Sequence, residues 1–288
     1  MRIAIASGKG GTGKTTIATS LALSLSPEHP LWYLDCDVEA PNGHLFLNPQ
    51  FEHHQPAEIL IPRIQKDTCT LCGKCVEVCQ FHALAKIGQT ILVFPQLCHG
   101  CGSCSFNCPE NAIIEIPNPI GTLDIGVARQ GIRFLQGVLT ISEPMPTPMI
   151  RQLKRLNQAP QDAVVIYDAP PGASCSVVET LRGSDFVLLV TEPTPFGLHD
   201  LKQMLGIVAE MNIPAGVVIN RDGIGDHHME DFLAEQGLPV LLRIPFDKTI
   251  AAGIAAGKTL VDIDPAYRIQ LQSLYAQIVD LVKMRRPC

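Results

Sequence analysis

No apolar run in this sequence approaches the roughly 20 residues that a membrane-spanning helix needs. Nor does it open on a basic, apolar, small-residue leader, since a glycine-rich stretch begins at Gly8. A cytoplasmic setting is the expectation. A basic surplus is missing too. The formal net charge is −6, so nucleic-acid binding through a basic face is not expected. Aromatic residues are scarce, at 5% with one tryptophan, while hydrophobic residues reach 46%. That balance suits an aliphatic α/β core and excludes a disordered chain or a disulfide mini-scaffold. The 288 residues leave room for one large or two ordinary domains. Cysteine is not scarce. There are 11, more than a reducing compartment keeps as disulfides, so their spacing decides their use.

The most informative stretch is Ser7-Gly8-Lys9-Gly10-Gly11-Thr12-Gly13-Lys14-Thr15-Thr16. It follows an apolar run from Ile3 to Ala6. It precedes Ile17, Ala18, Leu21, Ala22 and Leu25 at helical spacing. Strand, glycine-rich loop and helix are the context in which G-x-x-x-x-G-K-[ST] binds phosphate. Glycines let backbone N–H groups close on phosphate oxygens, and the new helix adds its positive end. Lys14 is placed to reach the β- and γ-phosphates, and Thr15 to offer its hydroxyl to Mg²⁺.

A second strand, Leu31 to Asp37, ends in two carboxylates, Asp35 and Asp37. Cys36 lies between them on the opposite side as a small core residue. The chain turns irregular from Ala40 to Gly43. Apolar runs predict further strands at 121–127, 163–168, 185–190, 215–220 and 240–245, the first pairing with a stretch near 132–141. Helical spacing covers 149–156, 198–211, 228–236, 247–256 and 266–284. Met145-Pro146-Thr147-Pro148 reads as a stop. Strands alternating with helices imply a mainly parallel sheet covered on both faces, with ligands at the strands' carboxyl ends. The phosphate loop, Asp35, Asp37, Asp168, Asn220 and Pro245 all fall at such ends.

Between Arg63 and Ile116 the composition changes. Cys69, Cys72, Cys75 and Cys79 form one C-x₂-C-x₂-C-x₃-C run; Cys98, Cys101, Cys104 and Cys108 form another. Residues 67–84 repeat as 96–113 at an offset of 29, and prolines at 62, 117 and 119 bracket the unit. This is the two-cluster ferredoxin spacing, in which the fourth cysteine of each run serves the other cluster. On that rule Cys69, Cys72, Cys75 and Cys108 hold one [4Fe–4S] centre, and Cys98, Cys101, Cys104 and Cys79 the second. Paired C-x₂-C motifs also bind zinc. Two complete four-cysteine runs with the x₃ step favour iron–sulfur. The second run has Pro109 after its last cysteine, where the first has Gln80. Each oxidised cubane adds a charge of about −2, so a docking partner is expected to be basic. His82 and His99 are expected to be solvated or packing residues; His199, His227 and His228 have no ligand-like spacing.

Lys9, directly after the first glycine, makes the loop resemble the deviant Walker A of MinD/ParA-type P-loop ATPases, the superfamily that includes the nitrogenase iron protein. The resemblance extends through Asp35-Cys36-Asp37, Asp168-Ala169-Pro170-Pro171-Gly172, Asn220-Arg221 and Ile244-Pro245-Phe246-Asp247. The whole chain resembles the members of that superfamily that contain an inserted ferredoxin domain. The implied fold is α/β: a mainly parallel-sheet P-loop NTPase in two parts, 1–62 and 117–288. A small α+β ferredoxin-like domain with two [4Fe–4S] clusters is inserted at 63–116.

The resemblance also implies roles. Lys9 would cross a dimer to the partner's nucleotide, Asp37 would orient the attacking water, and Asp35 would support the Mg²⁺ shell. Asp168 would sense Mg²⁺ and the γ-phosphate, and Asn220 would read the base. Gly8 to Thr16 with Asn220, Arg221, Pro245 and Asp247 would bind the nucleotide. The guanine motif N-K-x-D sets its acid three residues after the asparagine. Here Asp222 follows Asn220 by two, so ATP is expected. Cys175 resembles the bridging cysteine of the nitrogenase iron protein. That arrangement needs a second cysteine, and Cys36 and Cys288 are poorly placed, so a packed thiol is the plainer reading. The last helix, with Leu281, Lys283, Met284, Arg285 and Arg286, resembles MinD membrane anchors. It reads better as a core-packing helix whose basic end suits its dipole, and membrane binding is not expected.

Three functions are compatible with this pattern. The leading expectation is an ATPase with ATP, Mg²⁺ and two [4Fe–4S] clusters. It would work as an ATP-dependent homodimer, or as a dimer with a paralogue, coupling closure to electron delivery for metal-cofactor maturation or reduction of a partner. The second is a carrier that hands a cluster or metal to an apo-metalloprotein. The third is a positioning ATPase of the MinD type.

Overall fold

The computed structural model describes residues 1–225 and 228–285. His227, Arg286 and Cys288 lie outside them. In chain order the strands are β1 (Arg2–Ala6), β2 (Leu31–Asp35), β3 (Gln50–Ile64), β4 (Leu84–Ile87), β5 (Thr90–Val93), β6 (Ile113–Val127), β7 (Arg133–Leu139), β8 (Val164–Asp168), β9 (Phe186–Thr191), β10 (Ala215–Asp222) and β11 (Val240–Pro245). Nine of them form one sheet in the order β11-β10-β9-β1-β8-β2-β7-β6-β3. The pairings from β11 across to β7 are parallel; β7–β6 and β6–β3 are antiparallel. Apart from Arg2 at the start of β1 and Asp168 at the end of β8, the central strands are mainly apolar and buried on both faces, as a helix-covered parallel sheet requires.

Two cores flank the sheet. On one face, Ile17, Leu21 and Leu25 of helix Lys14–Leu25 meet Leu271, Leu274 and Ile278 of helix Ala266–Arg285. Burying each such side chain contributes about 1.5–3 kcal/mol. The last helix is thus seated by its apolar stripe, although Ile269 and Met284 remain exposed. The other face is covered by Pro146–Arg155, Cys175–Leu181, Pro195–Glu210 and His228–Glu235, through residues such as Met149, Val177, Met204 and Leu233. No helix among the described residues is long and apolar enough to cross a membrane.

Three features differ from the sequence reading. The proline pair at 146 and 148 starts a helix instead of stopping the chain, because proline's missing N–H costs nothing in a first turn. Cys175–Leu181 is a helix too short to be read from periodicity. The largest difference is β3. It runs antiparallel to β6 over their whole 15-residue lengths, so the cysteine segment hangs on a ribbon continuous with the sheet. Pro62, Pro117 and Pro119, which flank the cysteine unit in sequence, lie within this ribbon and do not interrupt it.

The ribbon's course follows from its register. Gly121 of β6 pairs with Leu139, the last residue of β7. Beyond that point the ribbon continues alone past the carboxyl end of a parallel-sheet strand. There it carries a β-bulge: Ala57 pairs with Gly121 but Glu58 with Pro119. The Gln152 side chain grips the bulge from helix Pro146–Arg155. Its amide nitrogen donates to the Glu58 carbonyl at 2.9 Å, and its oxygen accepts the Glu58 N–H at 3.1 Å.

Candidate functional site

The phosphate loop joins β1 to helix Lys14–Leu25. Gly13 caps that helix in the left-handed region at φ 96°. That backbone setting favours glycine, and a Cβ there would also lie 2.4 Å from Asn220 Nδ2 and displace that amide. The Asn220 amide donates to the Thr12 carbonyl at 2.8 Å, tying the end of β10 to the loop. Beside it opens a pocket of about 540 Å³. Gly10, Gly11, Gly13, Lys14, Thr15, Thr16, Asp37, Asn220, Arg221, Pro245 and Asp247 all line it. Phe46, Phe246, Ile250 and Leu260 add an apolar wall that motif reading did not assemble, because it comes from three separated segments. Gly8, Lys9 and Thr12 line a small adjoining cavity instead. Asp247 caps helix Lys248–Ala255, accepting from the N–H groups of Thr249 and Ile250, and these bonds hold its carboxyl below the usual range.

Behind the loop lie two buried carboxylates. Asp35 and Asp168 are register partners on β2 and β8. Asp35 accepts from the backbone N–H of Asp37, Asn42 and Gly43 at 3.2, 3.0 and 2.8 Å, which fixes the turn after β2. The Tyr33 hydroxyl donates to Asp168 Oδ2 at 2.8 Å, while Asp168 Oδ1 is buried without a partner. Burial raises both carboxyls; the Asp168 charge pushes Asp35 further, while Lys14 and Thr15 pull Asp168 back. Burial, partly offset by Lys14 and reinforced by Asp168, pushes Asp37 up to about 6.

The ribbon's far end holds the cysteines. Cys69, Cys72, Cys75 and Cys108 line one small cavity of about 20 Å³. Cys79, Cys98, Cys101 and Cys104 line a second of about 20 Å³. These are the two sets that the spacing rule groups. The 29-residue repeat is written into the backbone as well. Leu71, Gly73 and His82 have positive φ, and so do Gly100, Gly102 and Asn111. Short helices follow Gly73 and Gly102, and the N–H groups of Ala83 and Ala112 donate to the Cys79 and Cys108 sulfurs at 3.3 Å. Burial raises the Cys75, Cys98 and Cys104 thiols. Among the described residues, no group of three or more His, Cys, Asp or Glu is arranged to hold a single metal ion. Cys36 is fully buried, and Cys175 is exposed at the first turn of its helix.

A family model for the CobQ/CobB/MinD/ParA nucleotide binding domain matches residues 3–261. The chain belongs to that family. It is 30% identical over 284 residues to the uncharacterized protein MJ0578 of Methanocaldococcus jannaschii, covering 98% of each chain. It is 24% identical over 309 residues to a cytosolic Fe-S cluster assembly factor, the Nubp1 homolog of Drosophila pseudoobscura pseudoobscura, covering 96% of this chain and 81% of the relative. Its fold is similar to that of the septum site-determining protein MinD from Pyrococcus horikoshii OT3, complexed with Mg-ADP. There the TM-score is 0.58 at 18% identity, with 100% and 99% of the two chains covered.

One polar residue of this MinD/ParA-type site escaped the motif reading. Glu192 follows β9 and is 4% exposed. Its Oε2 lies 3.2 Å from Lys9 Nζ, and its Oε1 accepts from Arg221 at 2.6 Å. A single acid in a Thr-Glu-Pro turn has no spacing to announce it.

Proposed function

We propose that this chain is an ATP-hydrolysing iron–sulfur protein in which nucleotide turnover governs electron delivery to a partner. The observation that carries the reading is the ribbon. It projects two four-cysteine cavities from the carboxyl end of the sheet, the end where the phosphate loop opens its pocket.

The residues fit the groups this reading needs. Asp168 Oδ1 is a buried oxygen without a partner beside Lys14 and Thr15, a position suited to the oxygen shell of Mg²⁺. Bound there, Mg²⁺ would neutralise phosphate charge. Thr15 and Asp168 would hold it, with Asp35 behind them. Lys14 and the loop N–H groups bind phosphate, and Asp37 aligns water. Asn220 reads the base, and Arg221, Pro245 and Asp247 complete the nucleotide site, with ATP favoured over GTP. Each four-thiol set surrounds a cavity instead of meeting at one point, which suits a multi-iron cluster better than zinc. The chemistry such a cluster supplies is one-electron transfer. On this reading the chain divides into a nucleotide unit in two parts, 1–62 and 117–288, and a cysteine unit, 63–116, between them.

The test is to reduce the protein anaerobically, add MgATP and a candidate acceptor, and follow the iron–sulfur absorbance. Faster oxidation with ATP is expected. Equal rates with and without ATP would overturn the coupling.

A cluster carrier is the second reading, favoured by the exposure of Cys175 and the likeness to an Fe-S assembly factor. It requires iron beyond the roughly eight atoms of two cubanes, with the excess lost in Cys175→Ala. A count that stops at eight would sink it.

A further inference from the structure

Glu192 is buried, but the two cations that hold it are not. Its side chain is 6% exposed, against 36% for Lys9 and 47% for Arg221. The anchor is therefore fixed while both arms reach into water. Its backbone is fixed too. Thr194 N–H donates to the Glu192 carbonyl at 2.8 Å, and a Cβ on Gly197 would lie 2.1 Å from that oxygen. Arg221 also donates to the Gly11 carbonyl at 3.3 Å and sits in the left-handed region at φ 55°, a strained setting for a residue with a side chain. One carboxylate thus draws together the phosphate loop, the turn after β9 and the end of β10.

The charge balance gives this arrangement a consequence. Lys9 is in the loop that receives phosphates, and Arg221 lines the pocket. Both would be drawn to a polyanion, yet each is already paired with a carboxylate that cannot follow it out. A buried acid stripped of its partners is costly, so the pairing resists release. A ligand with several phosphate charges can compete for the cations; an uncharged nucleoside cannot.

We infer that Glu192 is a positioning residue that holds Lys9 and Arg221 in carboxylate pairs until a polyphosphate competes for them, so that it sets the threshold of ligand charge for productive binding. The inference rests on the nucleotide reading of the loop. It adds a residue that acts through Lys9 and Arg221 and does not itself touch the ligand.

The test uses the full chain, purified anaerobically, and measures dissociation constants for ATP, inorganic triphosphate and adenosine. In Glu192→Gln, ATP and triphosphate should bind more tightly by on the order of tenfold, with adenosine unchanged. The gain should vanish when Lys9→Ala is added, and Glu192→Asp, which keeps the charge, should show none. A residue that merely braces the fold would instead weaken all three ligands together. Equal weakening, no change, or a gain that survives Lys9→Ala would overturn the inference. If Glu192→Gln fails to fold, the unmodified protein carries the test. With ¹⁵N-labelled lysine, triphosphate should shift the Lys9 ammonium resonance, and an unmoved resonance at saturation overturns the inference. Failure of the unmodified protein to bind ATP or triphosphate at all would instead remove the nucleotide reading.

Discussion

Asp37 lines the pocket with its carboxyl raised to about 6, so a modest change in acidity alters its charge. Only the ionised form can align an attacking water. The kcat/KM for ATP hydrolysis should therefore fall below about pH 6, and a pH profile in saturating Mg²⁺ checks this. The sign for stability is opposite. A carboxyl that binds its proton more readily folded than unfolded stabilises most at low pH, and that contribution is lost as pH rises through 6. Asp37→Asn should flatten this part of the stability curve. Gly13 gives a second test at this scale. Alanine there meets a left-handed φ costing about 1–2 kcal/mol and a collision with Asn220. ATP affinity should drop at least tenfold while circular dichroism stays native. Gly13 was legible in the sequence because its backbone setting favours glycine. Glu192 was not, because an acid with two distant cation partners leaves no local pattern.

The same contrast holds for whole elements. The cysteine runs were legible as a repeat because each cysteine loop reuses one backbone path. β3 was not: its first half, Gln50 to Pro56, is polar and largely exposed, and it acquires an alternating buried face only at Ala57, Ile59 and Ile61. The repeat is also imperfect where its cavities open. Thr70 and Glu110 line the first mouth; their counterparts His99 and Phe81 line the second, stacked at 3.7 Å. On the proposed reading, a polar mouth would admit water more readily and stabilise the more negative reduced state of a cluster behind it. Two separate reduction steps are expected in a redox titration followed by electron paramagnetic resonance. Phe81→Ala should shift only one of them upward. The unit's own core is small, with Cys75, Leu84, Ile91 and Cys104 as its buried members. Stripping the iron with a chelator should therefore raise hydrogen exchange over 65–112 while nucleotide affinity is retained.

Across the molecule, contacts run without a gap from the nucleotide side to the ribbon. The turn after Asp168 leads into helix Cys175–Leu181. Lys154 donates to the carbonyls of Glu179, Thr180 and Arg182 at that helix's end, and Arg151 pairs with Glu179 at 3.0 Å. Gln152, between them in sequence, holds Glu58 at the bulge. Gln152→Ala should leave the ATPase rate intact and weaken the effect of ATP on cluster oxidation severalfold, read by stopped-flow absorbance. The ATP-dependent dimer that the MinD/ParA resemblance implies should be trapped by ATP with Asp37→Ala, read by light scattering, since binding without hydrolysis would hold its closed form.

The bulge has a mechanical meaning. From Glu58 to Ile64 the ribbon overhangs the sheet by seven residues, about 23 Å at the usual strand rise. It is a cantilever pivoted at its root. A tilt of about 10° there, no more than ordinary variation in strand twist, would sweep the cysteine cavities through about 4 Å. A displacement too slight to register beside the nucleotide would thus arrive at the tip as the difference between touching a docked protein and missing it.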